Sequence, residues 1–338
     1  MLKYLLTFLA ALTALQLQAQ VPQYSQYYAN ALFLSPSFAG ADYSTRGIMA
    51  ARYQWPGLHA SYISNTVSVD HYIPEYNSGV GLIINSDIIT PANLRTTDVG
   101  IAYSYEIGIT KNIVFRPGLQ MSYVHRRIDF NRLTFGSQYT DNGFIGGSSS
   151  EDPNNPAIAY LDFASGGVIM SETFWAGISV HHMNRPNQTF INGESRLPAK
   201  FSVFGGYKFM LTPDWKRRYV NPDEEVSISP TFMYKSQGKS DQLDIGVYAR
   251  YNTFITGLWY RGIPVKVYSP DRTNYEAIVV LVGYIYNNLQ VGYSYDFTTS
   301  KLSMATWGSH ELTLSYRIAK SKKKKQRPIQ KRPACPKF

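Results

Sequence analysis

The chain has 338 residues, one cysteine and a formal net charge of +10, with 33 basic against 23 acidic residues. A single cysteine excludes a disulfide-stabilised fold, and a chain that is 17% charged and 14% aromatic is not disordered as a whole. Nine basic residues lie between positions 319 and 338, whereas residues 20–318 carry 23 basic and 23 acidic side chains. The positive charge therefore belongs to a tail and does not indicate a nucleic-acid-binding face.

The first 19 residues have the pattern of a secretory signal peptide. Lys3 precedes an apolar stretch from Tyr4 to Leu15, and Leu17-Gln18-Ala19 has the pattern of a cleavage site, which predicts Gln20 as the mature N-terminus. The apolar stretch is shorter than the roughly 20 residues of a transmembrane helix. No run of 18 apolar residues follows it. We therefore expect an exported protein that has no transmembrane helix.

Residues 319–338 are predicted to form a disordered basic tail, because like charges repel and prolines remove helical hydrogen bonds. In an exported protein such a tail favours an anionic envelope surface or an acidic protein partner over nucleic acid. A solvated end without a partner is the alternative. Cys335 lies in the tail and is expected to be an unpaired thiol. The candidate partner-binding residues are Lys322, Lys323, Lys324, Lys325 and Arg327.

The two-residue period of β-strands recurs from Gly47 to Arg317, so that each strand has one apolar face and one small or charged face. Two candidate strands are apolar on both faces, which leaves their register open. They are the strands near Gly79 and Ala277. Fourteen strands are predicted, beginning near Gly47, His59, Gly79, Leu94, Ile113, Tyr160, Thr173, Lys200, Val226, Asp241, Phe254, Ala277, Leu289 and Ser309.

The links between these strands alternate in length, as is typical of outer-membrane barrels with short periplasmic turns and long outer loops. Four even-numbered links are tight, near residues 110–112, 171–172, 252–253 and 287–288. Four odd-numbered links are predicted to be long, over residues 131–159, 183–199, 263–276 and 298–308. Residues 212–225 and 238–240 depart from the alternation.

The predicted fold class is all-β, a transmembrane antiparallel β-barrel of about 14 strands and of the outer-membrane type, over residues 47–318. A pair of β-sandwich domains is the soluble alternative, and the absence of an interdomain linker disfavours it. Residues 20–46 are predicted to fold into the lumen or to remain in the periplasm. An even number of strands predicts that both termini are periplasmic.

No residue pattern predicts catalysis, a cofactor or a metal site, and we expect a protein that is not an enzyme. His181 and His182 are adjacent on one predicted strand, so they are expected to point to opposite faces and not to share a metal. The inward-facing charges are expected to line a wet lumen or to pair across it. They are Asp98, Glu106, Asp244, Arg250, Asp296, Glu311 and Arg317.

Two motifs stand near the predicted mature N-terminus, Pro22-Gln23-Tyr24-Ser25-Gln26-Tyr27 and Ser35-Pro36-Ser37-Phe38-Ala39-Gly40. They resemble the opening "DPQFSQY…NPL…NPAFAG" that is typical of the PorP/SprF family of type IX secretion system outer-membrane proteins of Bacteroidetes. Val21, Ala31 and Ser35 depart from the family pattern. Further matches follow in order to Arg317, at Gln54-Trp55-Pro56-Gly57, Ile128–Gly136, His181-His182-Met183, Gly257–Gly262, Gly292–Phe297 and His310–Arg317.

The resemblance implies a barrel without chemistry of its own that supports protein export. Its implied partners are outer-membrane lipids, the periplasmic secretion machinery, peptidoglycan-binding proteins and a secreted surface protein or adhesin, including adhesins used in gliding. A passive channel or transporter is the alternative, as is a structural barrel that anchors the envelope through its tail. The candidate cargo loop is the long link over residues 131–159, which is either a cargo contact or simply a flexible loop. Its candidate contact residues are Gly143, Phe144, Gly146 and Gly147.

Overall fold

A computed structural model describes residues 23–90, 92–133, 138–140, 143–144, 156–190, 193–212, 225–269, 272–299 and 303–318. The predicted signal peptide and the basic tail lie outside these residues, as do Gly146, Gly147 and Cys335.

Fourteen strands of eight or more residues in the described chain form one closed antiparallel sheet. Each pairs with its neighbour in sequence, and the last pairs with the first from Thr45↔Ile318 to Gln54↔Ser309. Closure leaves no open edge, which a sheet within a membrane requires. The predicted barrel is thus confirmed. The strands are β1 Thr45–Gln54, β2 Tyr62–Ile73, β3 Ser78–Ile89, β4 Leu94–Tyr105, β5 Val114–Arg127, β6 Ala157–Met170, β7 Phe174–His181, β8 Lys200–Tyr207, β9 Val226–Gln237, β10 Ser240–Tyr251, β11 Phe254–Ser269, β12 Arg272–Tyr286, β13 Leu289–Thr298 and β14 Ser309–Ile318.

The two ends of the barrel differ in their links. At the end where β1 begins, here called the turn end, residues 171–173, 252–253 and 287–288 make short turns, and residues 208–225 are the long exception. At the opposite end, the loop end, long links run over residues 128–156 and 182–199. The expected long loop over residues 263–276 is wrong, because β11 and β12 continue as a hairpin that pairs as far as Ser269↔Arg272.

Apolar side chains cover the outside of the barrel and polar ones face inward. Ile101 and Leu119 are each 62% exposed on the outer face, whereas Ser104 and Ser122, on the same two strands, are buried. An apolar outer band with Tyr residues among it is the surface that a bilayer contacts. Of the helices in the described part of the chain, none has the length and apolarity of a membrane span.

Residues 23–44, here called the lumenal segment, lie inside the barrel. They form one helical turn at Ala31–Leu34 and a 3-10 turn at Pro36–Phe38. Every residue from Tyr24 to Ala41 is buried, except the half-buried Phe33. The sequence had left a lumenal and a periplasmic position open for this segment, and its contacts with the inner faces of the strands place it in the lumen.

The lumenal segment explains the two strands that are apolar on both faces. Ile83 of β3 faces inward and packs in a buried cluster with Leu32 and Ala39. Val279 and Leu281 of β12 belong to the larger apolar cluster around the aromatic part of the segment. These inward faces are apolar because they contact protein instead of water, which also settles the register of both strands.

Three inward glycines let the segment approach the barrel wall. A Cβ atom on Gly79 would lie 1.9 Å from the carbonyl oxygen of Ala39, and one on Gly118 would lie 2.4 Å from the backbone nitrogen of Ser37. A Cβ on Gly166 would lie 2.3 Å from a side-chain oxygen of the segment. The first two contacts are with backbone atoms, which have little freedom to move aside.

We predict that Gly79→Ala displaces the lumenal segment, because the added methyl group overlaps a backbone carbonyl that cannot rotate away. The expected loss of stability is at least about 1–3 kcal/mol. Limited proteolysis with chymotrypsin should then cut the segment at Tyr24, Tyr27 or Phe38, which are protected in the unsubstituted barrel.

The matched control is Gly47→Ala in β1, because no atom lies within 4 Å of the new Cβ there. It should leave both the proteolysis pattern and the heat-dependent gel mobility of the folded barrel unchanged. Equal protection of the segment in the Gly79 variant would contradict the packing described here.

Candidate functional site in the lumen

Five charged side chains from five strands meet inside the barrel, toward its loop end. This group, here called the ion cluster, consists of Arg52, Asp244, Arg261, Asp296 and Glu311. Arg52 lies 2.8 Å from Asp296 and 3.2 Å from Glu311, and Arg261 lies 2.9 Å from Asp296 and 3.0 Å from Asp244. All five are nearly inaccessible to solvent. Buried charges of this kind are tolerated only when they are paired and hydrogen-bonded.

The ion cluster binds the beginning of the lumenal segment. The Glu311 carboxylate accepts hydrogen bonds from the backbone nitrogens of Ser25, at 2.7 Å, and Gln26, at 2.9 Å. The Ser25 hydroxyl donates to Asp296 at 2.6 Å and accepts from Arg52 at 2.8 Å and Arg261 at 2.9 Å. One serine thus completes the hydrogen bonding of both arginines, which ties the segment to four strands at once.

Gln26 extends this polar contact along β13 and β14. Its amide nitrogen donates to the Ser294 hydroxyl and to the Glu311 carbonyl oxygen, both at 3.1 Å. Its amide oxygen accepts from the Thr313 hydroxyl at 2.6 Å. Both ends of the side chain are therefore satisfied by the wall of the barrel.

The middle of the segment is held by aromatic packing on the opposite wall. The Tyr28 hydroxyl donates to the Gly205 carbonyl oxygen at 2.9 Å, and its ring packs edge-on against Trp175 at 5.6 Å. Phe38 packs against Phe204 with ring centroids 5.6 Å apart. Such pairs add to the stabilisation that comes from apolar burial alone.

The segment leaves the lumen at the turn end through a second set of polar contacts. The Ala39 carbonyl oxygen accepts from Arg116 at 2.7 Å, and Arg116 pairs with Glu106 at 2.6 Å. The Gly40 backbone nitrogen donates to Asp70 at 2.9 Å, and Asp70 pairs with Arg46 at 3.0 Å. The chain therefore runs through the lumen from the ion cluster, which lies toward the loop end, to the turn end, where β1 begins.

The inward charges predicted from the sequence pair across the lumen or with neighbours, instead of lining an open aqueous channel. Asp244, Asp296 and Glu311 belong to the ion cluster. Glu106 pairs with Arg116, Arg250 with Glu225 at 3.1 Å, Arg317 with Asp42 at 3.0 Å, and Asp98 accepts from Asn85 at 3.0 Å.

Glu225 lies at the turn end and forms ion pairs with two cations, Lys208 and Arg250. Burial by itself raises the pKa of a carboxyl group, but the charges of Lys208 and Arg250 hold the pKa of Glu225 below its usual value. Glu225 therefore remains ionised at neutral pH, and it joins the residues before β9 to the end of β10.

Sequence reasoning missed Arg52, Arg261, Ser25 and Gln26. Arg52 and Arg261 lie on inner strand faces among small and apolar residues. An arginine at such a position could have indicated a buried ion pair. Ser25 and Gln26 gave no signal, because most of their partners, such as Arg261 and Glu311, are more than 200 residues away in the chain.

The expectation that His181 and His182 point to opposite faces is wrong. β7 ends at His181, and His182 has a left-handed φ of 57°, which turns its side chain back to the interior. His181 Nε2 lies 3.2 Å from the Leu34 carbonyl oxygen, and His182 Nδ1 lies 2.8 Å from Asp162. Among the residues described, no three His, Cys, Asp or Glu side chains are placed to hold a metal.

Only part of the candidate cargo loop is described. Gly143–Phe144 forms a two-residue strand that pairs with Tyr139–Thr140 outside the barrel sheet. Gly146 and Gly147 lie outside the described residues, and so do the basic residues Lys322, Lys323, Lys324, Lys325 and Arg327. Their roles stay predictions.

We predict that Arg52→Met destabilises the folded barrel by about 3–5 kcal/mol, because Glu311 and Asp296 lose a buried cation. The double variant Arg52→Met/Glu311→Gln should be less destabilised than the sum of the single variants, since the two residues interact directly. Urea unfolding in lipid vesicles measures both effects.

Arg196→Met is the control, because the Arg196–Glu194 pair is solvent-exposed and contributes at most about 1 kcal/mol. Strict additivity of Arg52→Met and Glu311→Gln would contradict the coupling of the two side chains.

Comparison with solved structures finds outer-membrane proteins at low sequence identity. The Acinetobacter baumannii outer membrane protein Omp33 is 9% identical with a TM-score of 0.43, over 81% of this chain and 98% of that one. The toluene transporters TbuX of Ralstonia pickettii and TodX of P. putida are 10% and 8% identical, with TM-scores of 0.47 and 0.48. They cover 85% and 86% of this chain, and 92% and 95% of their own.

Comparison with curated proteins found no match. A family model does match, and it covers residues 16–316, which includes the lumenal segment and almost all of the barrel. The match spans both the lumenal segment and the strands of the barrel. Because it covers most of the sequence, the chain belongs to the PorP/SprF family of type IX secretion system membrane proteins.

Proposed function

We propose that this protein is a non-enzymatic platform in the outer membrane that positions cargo of the type IX secretion system at the cell surface. The cargo class is a secreted surface protein such as an adhesin, including adhesins of gliding. The observation that carries the proposal is the position of the lumenal segment, because it packs against the inner faces of the strands where a conduit would need open space.

A passive channel or transporter is the second candidate, and the filled lumen disfavours it. Tyr28 and Phe38 pack against the wall opposite the ion cluster, so apolar and polar contacts anchor the segment on both sides. A barrel with this interior serves more readily as a fixed membrane support.

The asymmetry of the links supports an orientation. Short turns are typical of the periplasmic side, so the turn end is assigned to the periplasm and the loop end to the cell surface. β14 ends at Ile318 at the turn end, and the tail that follows it would start in the periplasm. At the other end of the described chain, Ser25 lies toward the loop end of the lumen, beside the ion cluster. A periplasmic position of the N-terminus stays a prediction.

This orientation divides the proposed partners between the two sides. The basic tail is the candidate contact with the periplasmic machinery or its peptidoglycan-binding partners, where an acidic surface would attract its cations. The loop that contains Gly143, Phe144, Gly146 and Gly147 is the candidate contact with cargo.

We predict that the tagged protein, extracted from the outer membrane in mild detergent, copurifies with secretion-machinery proteins and with a surface protein. Replacing Lys322, Lys323, Lys324, Lys325 and Arg327 by Gln should reduce recovery of the periplasmic machinery, because the attraction to an acidic partner is lost. Recovery is measured by quantitative mass spectrometry.

Lys111→Gln is the control, because Lys111 is an exposed lysine in a turn at the same end of the barrel. It should leave recovery unchanged. Purification of the barrel alone from actively secreting cells would contradict the proposed platform.

We also predict that the purified protein gives no stable pore conductance in planar bilayers, because the lumenal segment blocks the barrel. The variant Gly79→Ala should show transient openings if it displaces the segment, and Gly47→Ala should stay silent. A stable open pore in the unsubstituted protein would favour the channel.

A further inference from the structure

Two lysines stand out among the basic side chains of the lumen. Arg126 is buried and donates to the Gln188 amide oxygen at 2.5 Å. Five other arginines each form an ion pair with a carboxylate: Arg46, Arg52, Arg116, Arg250 and Arg261. Lys200 and Lys235 also face inward and are half-buried, but neither forms an ion pair or hydrogen bond with a described residue.

The two lysines are close neighbours on adjacent strands. In the register of β8 and β9, Lys200 lies opposite Gln237, and Lys235 lies opposite Ser202. Lys200 and Lys235 are therefore diagonal neighbours, whose Cβ atoms are separated by about 7–8 Å or somewhat less. At that separation both ammonium groups can reach one anionic group, and without it they repel each other.

The nearby carboxylates are mostly committed to other partners. Asp162 is bound to His182, and Asp244 is bound to Arg261 and to the Gln242 amide at 2.9 Å. Glu276 interacts electrostatically with Lys235 and offsets part of its charge. Asp98 also attracts Lys200, and it accepts a hydrogen bond from Asn85. None of these four carboxylates forms an ion pair with either lysine in the described part of the chain.

The lumenal segment contacts one of the two lysines through an aromatic ring. The ring of Phe33, the half-buried residue of the segment, lies 5.3 Å from the Lys200 ammonium group. This cation–π contact orients Lys200 and shields one side of its ammonium group from water. Lys200 begins β8 and Lys235 is near the end of β9, so both lysines lie near the loop end of the barrel.

We propose that Lys200 and Lys235 form a binding site for an anionic oxygen group, a carboxylate or a phosphate, that enters from the loop end. Two charge-assisted hydrogen bonds from the ammonium groups would hold it, with Phe33 as the apolar flank. The site does not depend on the proposed secretion role, and its ligand would carry a negative charge.

The test uses isothermal titration calorimetry on the full chain in detergent, with Lys322, Lys323, Lys324, Lys325 and Arg327 replaced by Gln so that the tail does not compete for anions. The three probes are inorganic phosphate, a capped tetra-aspartate peptide and its tetra-asparagine counterpart, and 'unsubstituted' below means this protein with both lumenal lysines present. We expect the unsubstituted protein to bind phosphate, the aspartate peptide or both, and not the asparagine peptide. Binding of phosphate alone identifies a phosphate group as the ligand, and binding of the aspartate peptide alone identifies a carboxylate.

Lys200→Gln/Lys235→Gln should weaken binding at least about tenfold, and each single variant should weaken it less. In low-anion buffer the double variant should unfold at the same temperature or higher, because the repulsion between the two cations is gone. This readout also shows that the variant folds.

Lys239→Gln is the matched control, since Lys239 is exposed in the turn that follows β9 at the same end. It removes one charge without touching the lumen, and binding should be unchanged. The proposal is overturned if neither anion binds, if the double variant binds as tightly as the unsubstituted protein, or if Lys239→Gln weakens binding equally. Secretion in cells is not part of the readout, so failure here leaves the platform role standing.

Discussion

The hydrogen bonds from the backbone of Ser25 and Gln26 to Glu311 connect the lumenal segment to the barrel wall. Glu311 is stable in the lumen only because Arg52 neutralises it, and Arg52 is satisfied only when Ser25 and Asp296 are also in place. Removing Arg52 leaves Glu311 without its ion-pair partner, and removing Ser25 leaves both arginines with one hydrogen-bond acceptor fewer. Loss of a partner from a buried polar group costs more than the contact itself contributed. The position of the lumenal segment and the stability of the barrel are consequently coupled.

On the wall opposite the ion cluster, apolar residues of the strands pack against the lumenal segment. A barrel of fourteen strands encloses more space than the side chains of its own wall fill. Tyr28, Leu32 and Phe38 of the segment occupy part of that space in two buried apolar clusters. The inward glycines Gly79 and Gly118 then allow backbone-to-wall contact. Polar anchoring on one side and close packing on the other keep the segment in one position.

This interior separates the two ends of the molecule. The segment lies in the lumen between them, so contacts at the loop end and at the turn end involve different residues of one closed sheet. Under the proposed function, each end would contact a different partner. Lys200 and Lys235 also lie toward the loop end, and unlike the arginines of the ion cluster they form no ion pair with a described residue.

The sequence by itself determined the barrel. The period of two residues located all fourteen strands, with starts that differ from the observed ones by at most five residues, because each strand needs one face for lipid and one for the interior. It also determined the family resemblance and the inward direction of charges such as Asp296 and Glu311. It misplaced residues 263–276, because a hairpin that extends beyond the membrane lacks a strict apolar face.

Only the tertiary structure decided what fills the barrel. The short segment Gln23-Tyr24-Ser25-Gln26 has no periodicity that reports its environment, and its partners in β13 and β14 lie at the far end of the chain. The same is true of Gly79 and Ile83, which read as an ambiguous strand until Leu32 and Ala39 were placed against them. Local sequence patterns report which face of a strand is buried, whereas closure of the sheet determines which distant groups meet inside it.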